Sequence, residues 1–228
     1  MQESRAGHLM GRAPALGGFT LGEPSAQGVT TMRTKAVVLA LFLVGAAGMS
    51  RMPAARAQTG GGWTTLFDGK NLDHWVTTGN ANWRLAGGVV EADMPRGYLV
   101  SKESYGDFEL RVEVWVTPAS NAGVMFRITD PKNPGIENAY ELNINDERKD
   151  QAGRTGSIVN VAKPLVKFDS GDRWTTVEIT ARGPRLTARL NETLIAEAND
   201  SKYARGPIAL QAAGGLVRYR NVQIREIK

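Results

Sequence analysis

Cysteine is absent from the 228 residues, and histidine occurs only at His8 and His74. The lack of thiols excludes disulfide scaffolds, thiolate zinc sites and cysteine nucleophiles. Two histidines are also too few for a multi-histidine metal centre. Any chemistry must therefore use carboxylates, arginines, amides, hydroxyls or a cofactor, and no motif in the sequence predicts a cofactor or a metal site.

Long hydrophobic runs are also scarce, and the one at residues 36–48 is too short to span a bilayer comfortably. It follows two basic residues and precedes an A-x-A motif at residues 55–57. This order is typical of a secretory signal peptide. We therefore expect residues 32–57 to be a cleaved leader and the mature protein to be secreted or periplasmic. Residues 1–31 would then be an extension upstream of the true start.

The chain carries a net charge of +5, but the excess positive charge lies in the leader region. Six of the 28 basic and two of the 23 acidic residues precede Gln58, which leaves 22 and 21 in the remainder. A near-neutral chain without a basic stripe lacks the electrostatic footprint that nucleic-acid binding requires. The sequence predicts no nucleic-acid partner and, once the leader is removed, no stable membrane insertion.

After a glycine-rich lead-in at residues 58–62, a period of two dominates the sequence. Such alternation of apolar and polar residues indicates strands with one wet face. It is clearest in residues 108–116, 176–181, 185–190 and 216–224. We expect residues 63–228 to form an all-β domain, an antiparallel sandwich of two sheets. Its predicted core contains Phe108, Leu110, Val112, Val124, Phe126, Leu142, Val177, Ile179, Leu186 and Leu190.

Two local features refine this strand pattern. Asn191-Glu192 lies between two alternating runs and predicts a tight two-residue hairpin. The alternation slips at Arg220-Asn221, so that Tyr219 and Val222 cannot share a phase, and we expect a bulge there.

Two central strands carry polar side chains on the phase opposite to their apolar residues. Residues 123–128 place Arg127 on that phase, and residues 140–145 place Glu141, Asn143 and Asn145 there. If the apolar phases form the core, these side chains share one outer face with the polar phase of residues 108–116. Charges, amides and an aromatic ring on one curved sheet suit a polyhydroxylated ligand. The alternative is a solvated face with cross-strand ion pairs.

Several ordered segments resemble the 3-keto-disaccharide hydrolase domain family. The most specific is the opening motif GWTTLFDGKNLDHW at residues 62–75. The weaker segments are YGDFEL at 105–110, NAGV at 121–124, AYE at 139–141, WTTVE at 174–178 and GPIALQ at 206–211. Together they span nearly all of the chain from residue 63 to its end.

This resemblance implies a concanavalin- or laminarinase-like jelly roll that cleaves glycosides oxidised at C3. A ketone at C3 acidifies the hydrogen at C2, so a carboxylate can remove it while a cation holds the enolate. We expect Glu141 to be the base and Arg127 the enolate stabiliser. The side chains expected to bind the carbohydrate are Arg111, Glu113, Trp115, Asn143, Asn145 and Gln211.

The sequence departs from the family pattern at two places. Asn143 stands where a glutamine is common, and Ala212-Ala213 stand where a histidine is usual. If that histidine carries the chemistry elsewhere in the family, this chain uses another group or is not catalytic. The sequence therefore leaves two interpretations, an enzyme acting on keto-sugars and a non-catalytic carbohydrate-binding module.

Overall fold

The computed structural model describes residues 58–59 and 62–227. The extension predicted for residues 1–31 and the leader predicted for residues 32–57 lie outside the described residues. The lead-in at residues 58–62 lies partly outside them. Within the described ranges, no helix is long and apolar enough to cross a membrane.

The described residues form β-strands joined by turns, with one short 3-10 turn at Gln151–Gly153. The strands are β1 (Gln58–Thr59), β2 (Trp63–Phe67), β3 (Trp75–Gly79), β4 (Arg84–Ala86), β5 (Val89–Ala92), β6 (Gly97–Ser101), β7 (Phe108–Val116), β8 (Asn121–Phe126), β9 (Tyr140–Ile144), β10 (Trp174–Arg182), β11 (Arg185–Leu190), β12 (Thr193–Asn199), β13 (Ala209–Gly214) and β14 (Val217–Glu226).

The strands form two antiparallel sheets, which confirms the predicted sandwich. The larger sheet has the order β1-β2-β14-β7-β10-β11-β12, and β5 also pairs with β14 and carries β4 at its edge. The smaller sheet has the order β3-β6-β13-β8-β9. Several neighbouring strands in each sheet are distant in sequence, so the chain crosses repeatedly between the sheets as it builds them.

The core lies between the two sheets and is the one that the alternation predicts. In β7 every second residue is buried, and the apolar phase faces the smaller sheet. All ten residues predicted for the core are at most 1% exposed. Burial of these apolar surfaces is the main stabilising contribution, at about 25 cal/mol per Å² removed from water.

The two local predictions are also confirmed. Asn191 and Glu192 both adopt positive φ, at 45° and 67°, as a type I′ turn between β11 and β12 requires. Asn221 has a φ of 50°, and the pairing of β14 with β7 shifts between Arg220 and Gln223. This bulge lets β14 keep an apolar inner face on both sides of the irregularity.

Candidate functional site

The outer face of the smaller sheet carries two rows of side chains that cross all five strands. Residues directly opposite each other on neighbouring strands project from the same face. The first row consists of Thr78, Tyr98, Gln211, Gly123 and Asn143. The second row consists of Val76, Val100, Ala209, Met125 and Glu141. One row is therefore mainly polar and the other mainly apolar, with Glu141 at its end.

A cavity of about 560 Å³ lies over this face. The side chains of the sheet that line it are Tyr98, Asn121, Glu141, Asn143 and Gln211. The loops contribute Arg96 before β6, Arg148 after β9 and residues 133–137 between β8 and β9. The volume is in the range of small-molecule sites. In the described part of the chain, no three His, Cys, Asp or Glu side chains are grouped to hold a metal ion.

The connection between β8 and β9 covers the apolar half of the face. Val100, Met125 and Ala209 are buried and form one apolar cluster with Ile128 and Ala139 at the two ends of this connection. The same connection supplies residues 133–137 to the cavity wall. The cavity therefore lies over the polar row, to which Tyr98, Asn143 and Gln211 belong.

Glu141 is the most unusual titratable group of the cavity. It is only 6% exposed, and burial raises the pKa of its carboxyl to about 7. A hydrogen bond from the Gln211 side chain and the positive charges of Arg96 and Arg148 oppose this rise. A carboxyl with a pKa near 7 can accept a proton in its ionised form and return it at neutral pH.

Gly123 provides the space in which the Glu141 carboxyl lies. A Cβ atom at this position would be 2.9 Å from Oε1 of Glu141 and 3.1 Å from the carbonyl oxygen of Leu142. Real Cβ atoms essentially never approach another atom as closely as 2.9 Å. The absence of a side chain at Gly123 thus lets the carboxyl rest directly on the backbone of β8.

The cavity wall carries two cations, Arg96 and Arg148, together with the carboxyl groups of Glu137 and Asp150. Arg96 and Arg148 take part in no ion pair among the described residues. Arg148 lies so close to Gly153 that a Cβ atom there would collide with its guanidinium group. These two arginines are therefore available to a negatively charged group in the cavity.

The prediction that Arg127 shares a groove with Glu141 is wrong. Strand β8 ends at Phe126, and Arg127 adopts a positive φ of 53°. The two-residue alternation therefore ends before Arg127, and this side chain does not project from the outer face. The Arg127 side chain is 1% exposed. Its guanidinium donates hydrogen bonds to the carbonyl oxygens of Gly106, Gly183 and Tyr203 and to the Asp107 carboxylate. Arg127 thus joins three loops away from the cavity.

The prediction that Arg111, Glu113 and Trp115 join the same face is also wrong. They do lie on the polar phase of β7, but β7 belongs to the larger sheet and this phase faces away from the smaller sheet. Alternation distinguishes the inner from the outer side of a strand and does not tell which sheet the strand enters. The three side chains are on the opposite outer surface of the sandwich.

The remaining predicted residues divide into two groups. Asn143 and Gln211 line the cavity with Glu141, as expected. Asn143 donates a hydrogen bond to the carbonyl oxygen of Gly153, and Oε1 of Gln211 is buried without a partner among the described residues. Asn145 follows the end of β9, and its backbone N–H donates to Oγ1 of Thr155 at 2.8 Å. It is not part of the cavity lining.

Sequence reasoning missed Arg96, Tyr98 and Arg148, and it noted Asn121 only as part of the NAGV segment. Tyr98 lies in β6, where every residue is buried because the sheet is covered on both sides. Such a strand shows no alternation from which a site-facing residue could be recognised. The two arginines lie in connecting segments, where no periodic signal exists.

The chain belongs to a family of carbohydrate-related domains. The profile of the 3-keto-alpha-glucoside-1,2-lyase-like domain matches residues 62–225. This range is most of the chain and confirms the resemblance drawn from the opening motif. A search of curated proteins gives no match to this chain.

Solved structures confirm the jelly-roll fold. A provisionally named glycosyl hydrolase from Parabacteroides distasonis has a TM-score of 0.66 at 17% identity, over 73% of this chain and 94% of that one. The carbohydrate-binding module CBM66 from Bacillus subtilis has a TM-score of 0.53 at 18% identity, covering 72% and 96%. The β-glucanase from Bacillus licheniformis has a TM-score of 0.52 at 13% identity, covering 75% and 100%. At these identities the likeness concerns the fold alone.

Proposed function

We propose that this protein cleaves 3-keto-glycosides and that Glu141 is the base that removes the proton from C2. The observation that carries the proposal is a nearly buried carboxyl, with a pKa of about 7, in a cavity of sugar-binding size. Membership in the 3-keto-alpha-glucoside-1,2-lyase-like domain family supports the same substrate class. A general base works best when its pKa is near the working pH, because a large fraction is then ionised and the ionised form still binds a proton well.

The proposed reaction needs one proton acceptor and one group that stabilises negative charge. Ionised Glu141 takes the C2 proton, and the electron pair of that bond forms an enolate with its charge on the C3 oxygen. The enolate then expels the C1 substituent as an alkoxide, which takes a proton from water, and a C1–C2 double bond remains beside the ketone. The hydroxide left by that water adds at C1. The Glu141 carboxyl, after its proton has exchanged with solvent, returns a proton to C2 and is ionised again.

The enolate must be held by a group other than Arg127, because that side chain is enclosed by backbone carbonyls. Arg148 and Arg96 both line the cavity and both act electrostatically on Glu141. A guanidinium that the protein leaves without an ion-pair partner can stabilise charge that develops on the substrate. We assign enolate stabilisation to this pair, and hydroxyl binding to Asn143 and Gln211.

Deuterium exchange tests the proposed step directly. In D₂O the wild-type protein should release the aglycone of a 3-keto-glucoside and place deuterium at C2 of the recovered sugar, as measured by NMR. The corresponding glucoside, which lacks the ketone, should remain intact and unlabelled. Glu141→Gln should lose both release and labelling, because an amide cannot accept the proton. Cleavage without label at C2 would contradict the proposed step.

A non-catalytic carbohydrate-binding module is the second candidate. The observation that favours it is the alanine pair at the end of β13, where the family commonly has a histidine. Ala212 is buried in the core, and Ala213 next to it is half-buried and carries no functional group. Under this alternative the wild type binds a 3-keto-glucoside in calorimetry but gives neither aglycone release nor deuterium at C2.

We also propose that the protein acts outside the cytoplasm, because residues 32–57 contain the basic segment, the apolar run and the A-x-A motif of a signal peptide in the usual order. The N-terminus of the protein recovered from the cell envelope or medium should be Gln58 by mass spectrometry. Recovered protein that retains the leader would contradict the proposed cleavage.

A further inference from the structure

A buried hydroxyl from the opposite sheet reaches the backbone beneath the cavity. Tyr219 lies on β14 of the larger sheet and is fully buried. Its Oη is 2.7 Å from the carbonyl oxygen of Gln211 and 3.1 Å from that of Gly123. A phenol has one proton to donate, so this donation is shared between two neighbouring strands, β13 and β8.

These two acceptor residues are the ones that hold the Glu141 carboxyl. Gln211 and Gly123 are directly paired across β13 and β8. The Gln211 side chain donates a hydrogen bond to Glu141, and the carboxyl lies against the Gly123 backbone where a Cβ atom would be at 2.9 Å. A change in the spacing or tilt of these strands would therefore move both supports of the carboxyl together.

We propose that Tyr219 is a positioning residue that acts on Glu141 from the inner side of the smaller sheet. It fixes the seat of the Glu141 carboxyl, which consists of the Gly123 backbone and the Gln211 side chain. Its hydroxyl bridges β13 and β8 at the pair of residues on which the carboxyl rests. The structural part of this inference stands on the hydrogen bonds alone, and its effect on turnover rests on the proposed function. Tyr219 touches no substrate, so it acts through Gly123 and Gln211.

Tyr219→Phe removes the hydroxyl and keeps the ring that fills the core. We expect kcat on a 3-keto-glucoside to fall about tenfold with KM nearly unchanged, because small displacements of a reacting group are costly. We also expect the Glu141 pKa to fall from about 7 toward its ordinary value of 4.5, because a looser seat admits water. The pKa is read from the ¹³C carboxyl resonance that disappears in Glu141→Gln.

Tyr140→Phe is the matched control. Tyr140 is also a buried tyrosine, and its hydroxyl bonds to Asp200, away from the cavity lining. Loss of this hydrogen bond should lower the Tm without moving the Glu141 pKa. If Tyr219→Phe lowers the Tm and leaves the Glu141 pKa at the wild-type value, Tyr219 is only structural and the inference is overturned.

A measurement on the wild type keeps the inference testable if Tyr219→Phe does not fold. The hydroxyl proton of Tyr219 should give a slowly exchanging NMR resonance that titrates with the same midpoint as the Glu141 carboxyl, and a resonance unaffected by pH would overturn the inference. If the pKa and this resonance behave as expected but no keto-glycoside is cleaved, the proposed function fails while the positioning role stands.

Discussion

The two outer faces of the sandwich differ in how they treat charged groups. On the larger sheet, carboxylates lie next to guanidinium groups, with Glu113 2.6 Å from Arg220 and Glu91 2.7 Å from Arg218. On the smaller sheet, Glu141 is nearly buried and makes no ion pair among the described residues. The first face neutralises its own charges, and the second keeps a carboxyl in an environment that disfavours its ionised form.

The aromatic residues follow the same division. On the larger sheet guanidinium groups lie over three half-buried tryptophan rings, where they occupy ring surface that could stack on a sugar. Arg111 and Arg225 lie over Trp63, Arg218 over Trp115, and Arg220 over Trp174. In the cavity, Tyr98 has no guanidinium over its ring among the described residues, although only 9% of its surface is exposed. In this protein the carboxylates and tryptophan rings of the larger sheet already have guanidinium partners, whereas Glu141 and Tyr98 in the cavity have none among the described residues.

Removing one carboxylate from each face gives the strongest test of this comparison. Glu141→Gln should lower kcat on a 3-keto-glucoside by about 10²–10⁴-fold, the usual effect of losing a general base. Glu113→Gln should leave kcat at the wild-type value, because its partners Arg220 and Asn221 lie on the other face. Equal losses in the two variants would show that the division between the faces is wrong.

The pH dependence of stability gives the next largest effect. Between pH 4.5 and about 7, folded Glu141 keeps a proton that the unfolded chain has released. The free energy of unfolding therefore falls as the pH rises through this range, by about 3 kcal/mol for this group. Glu141→Gln lacks this dependence. The free energy of unfolding of Glu141→Gln minus that of the wild type should therefore be larger at pH 8 than at pH 4.

Urea denaturation of both proteins at pH 4 and pH 8 measures this difference. A parallel pH dependence in wild type and Glu141→Gln would mean that Glu141 has an ordinary pKa in the folded protein. The same result would remove the physical reason for assigning it as the base. In the wild type, kcat/KM should rise with pH through about 7, because only the ionised carboxylate accepts a proton.

A smaller effect is expected when the seat of the carboxyl is altered. Gly123→Ala places a methyl group 2.9 Å from Oε1 of Glu141, so the carboxyl must move by a few tenths of an ångström or more. We expect kcat to fall about 10- to 100-fold, because the base is displaced but not removed. Gly106→Ala is the control, since the nearest atom to a Cβ at this position would be Nη1 of Arg205 at 3.5 Å, an ordinary contact. Equal kcat values in both variants would contradict the proposed seat.

The sequence was sufficient to predict the sandwich, because the alternation in β7, β10 and β11 reports burial on one face directly. It also predicted the hairpin at Asn191-Glu192, where two polar residues separate two alternating runs. These are local properties of a strand or a turn, and they need no knowledge of which strands become neighbours.

The site could be predicted only in part, because it depends on strand order and on where each strand ends. Glu141, Asn143 and Gln211 meet because β9, β8 and β13 are neighbours. Arg127 leaves the pattern through a single positive φ at the end of β8, and an arginine is not a residue for which such a conformation is expected. The neighbours of Glu113 likewise depend on β7 entering the other sheet.

The smallest expected effect concerns the ion pairs on the outer face of the larger sheet. Glu113 and Arg220 are 26% and 39% exposed, and Arg220 also lies 3.9 Å from the centroid of the Trp174 ring. Desolvation opposes ionisation of Glu113, but hydrogen bonds from Asn221 and Arg220 outweigh it and lower the pKa of the carboxyl. The pair therefore stabilises the fold at neutral pH and loses this contribution as the pH falls and Glu113 takes up a proton.

A double-mutant cycle with Glu113→Gln and Arg220→Met should give a coupling free energy of about 0.2–1 kcal/mol in urea denaturation, as for other partly exposed pairs. The coupling should decrease at 1 M salt, where the Debye length is about 3 Å. Neither variant should change kcat, since neither side chain reaches the cavity. A coupling free energy well above this range, or one insensitive to salt, would mean that ion pairs on the outer face of the larger sheet stabilise the fold more than solvated pairs do. The two outer faces would then differ only in the chemistry that their side chains can perform.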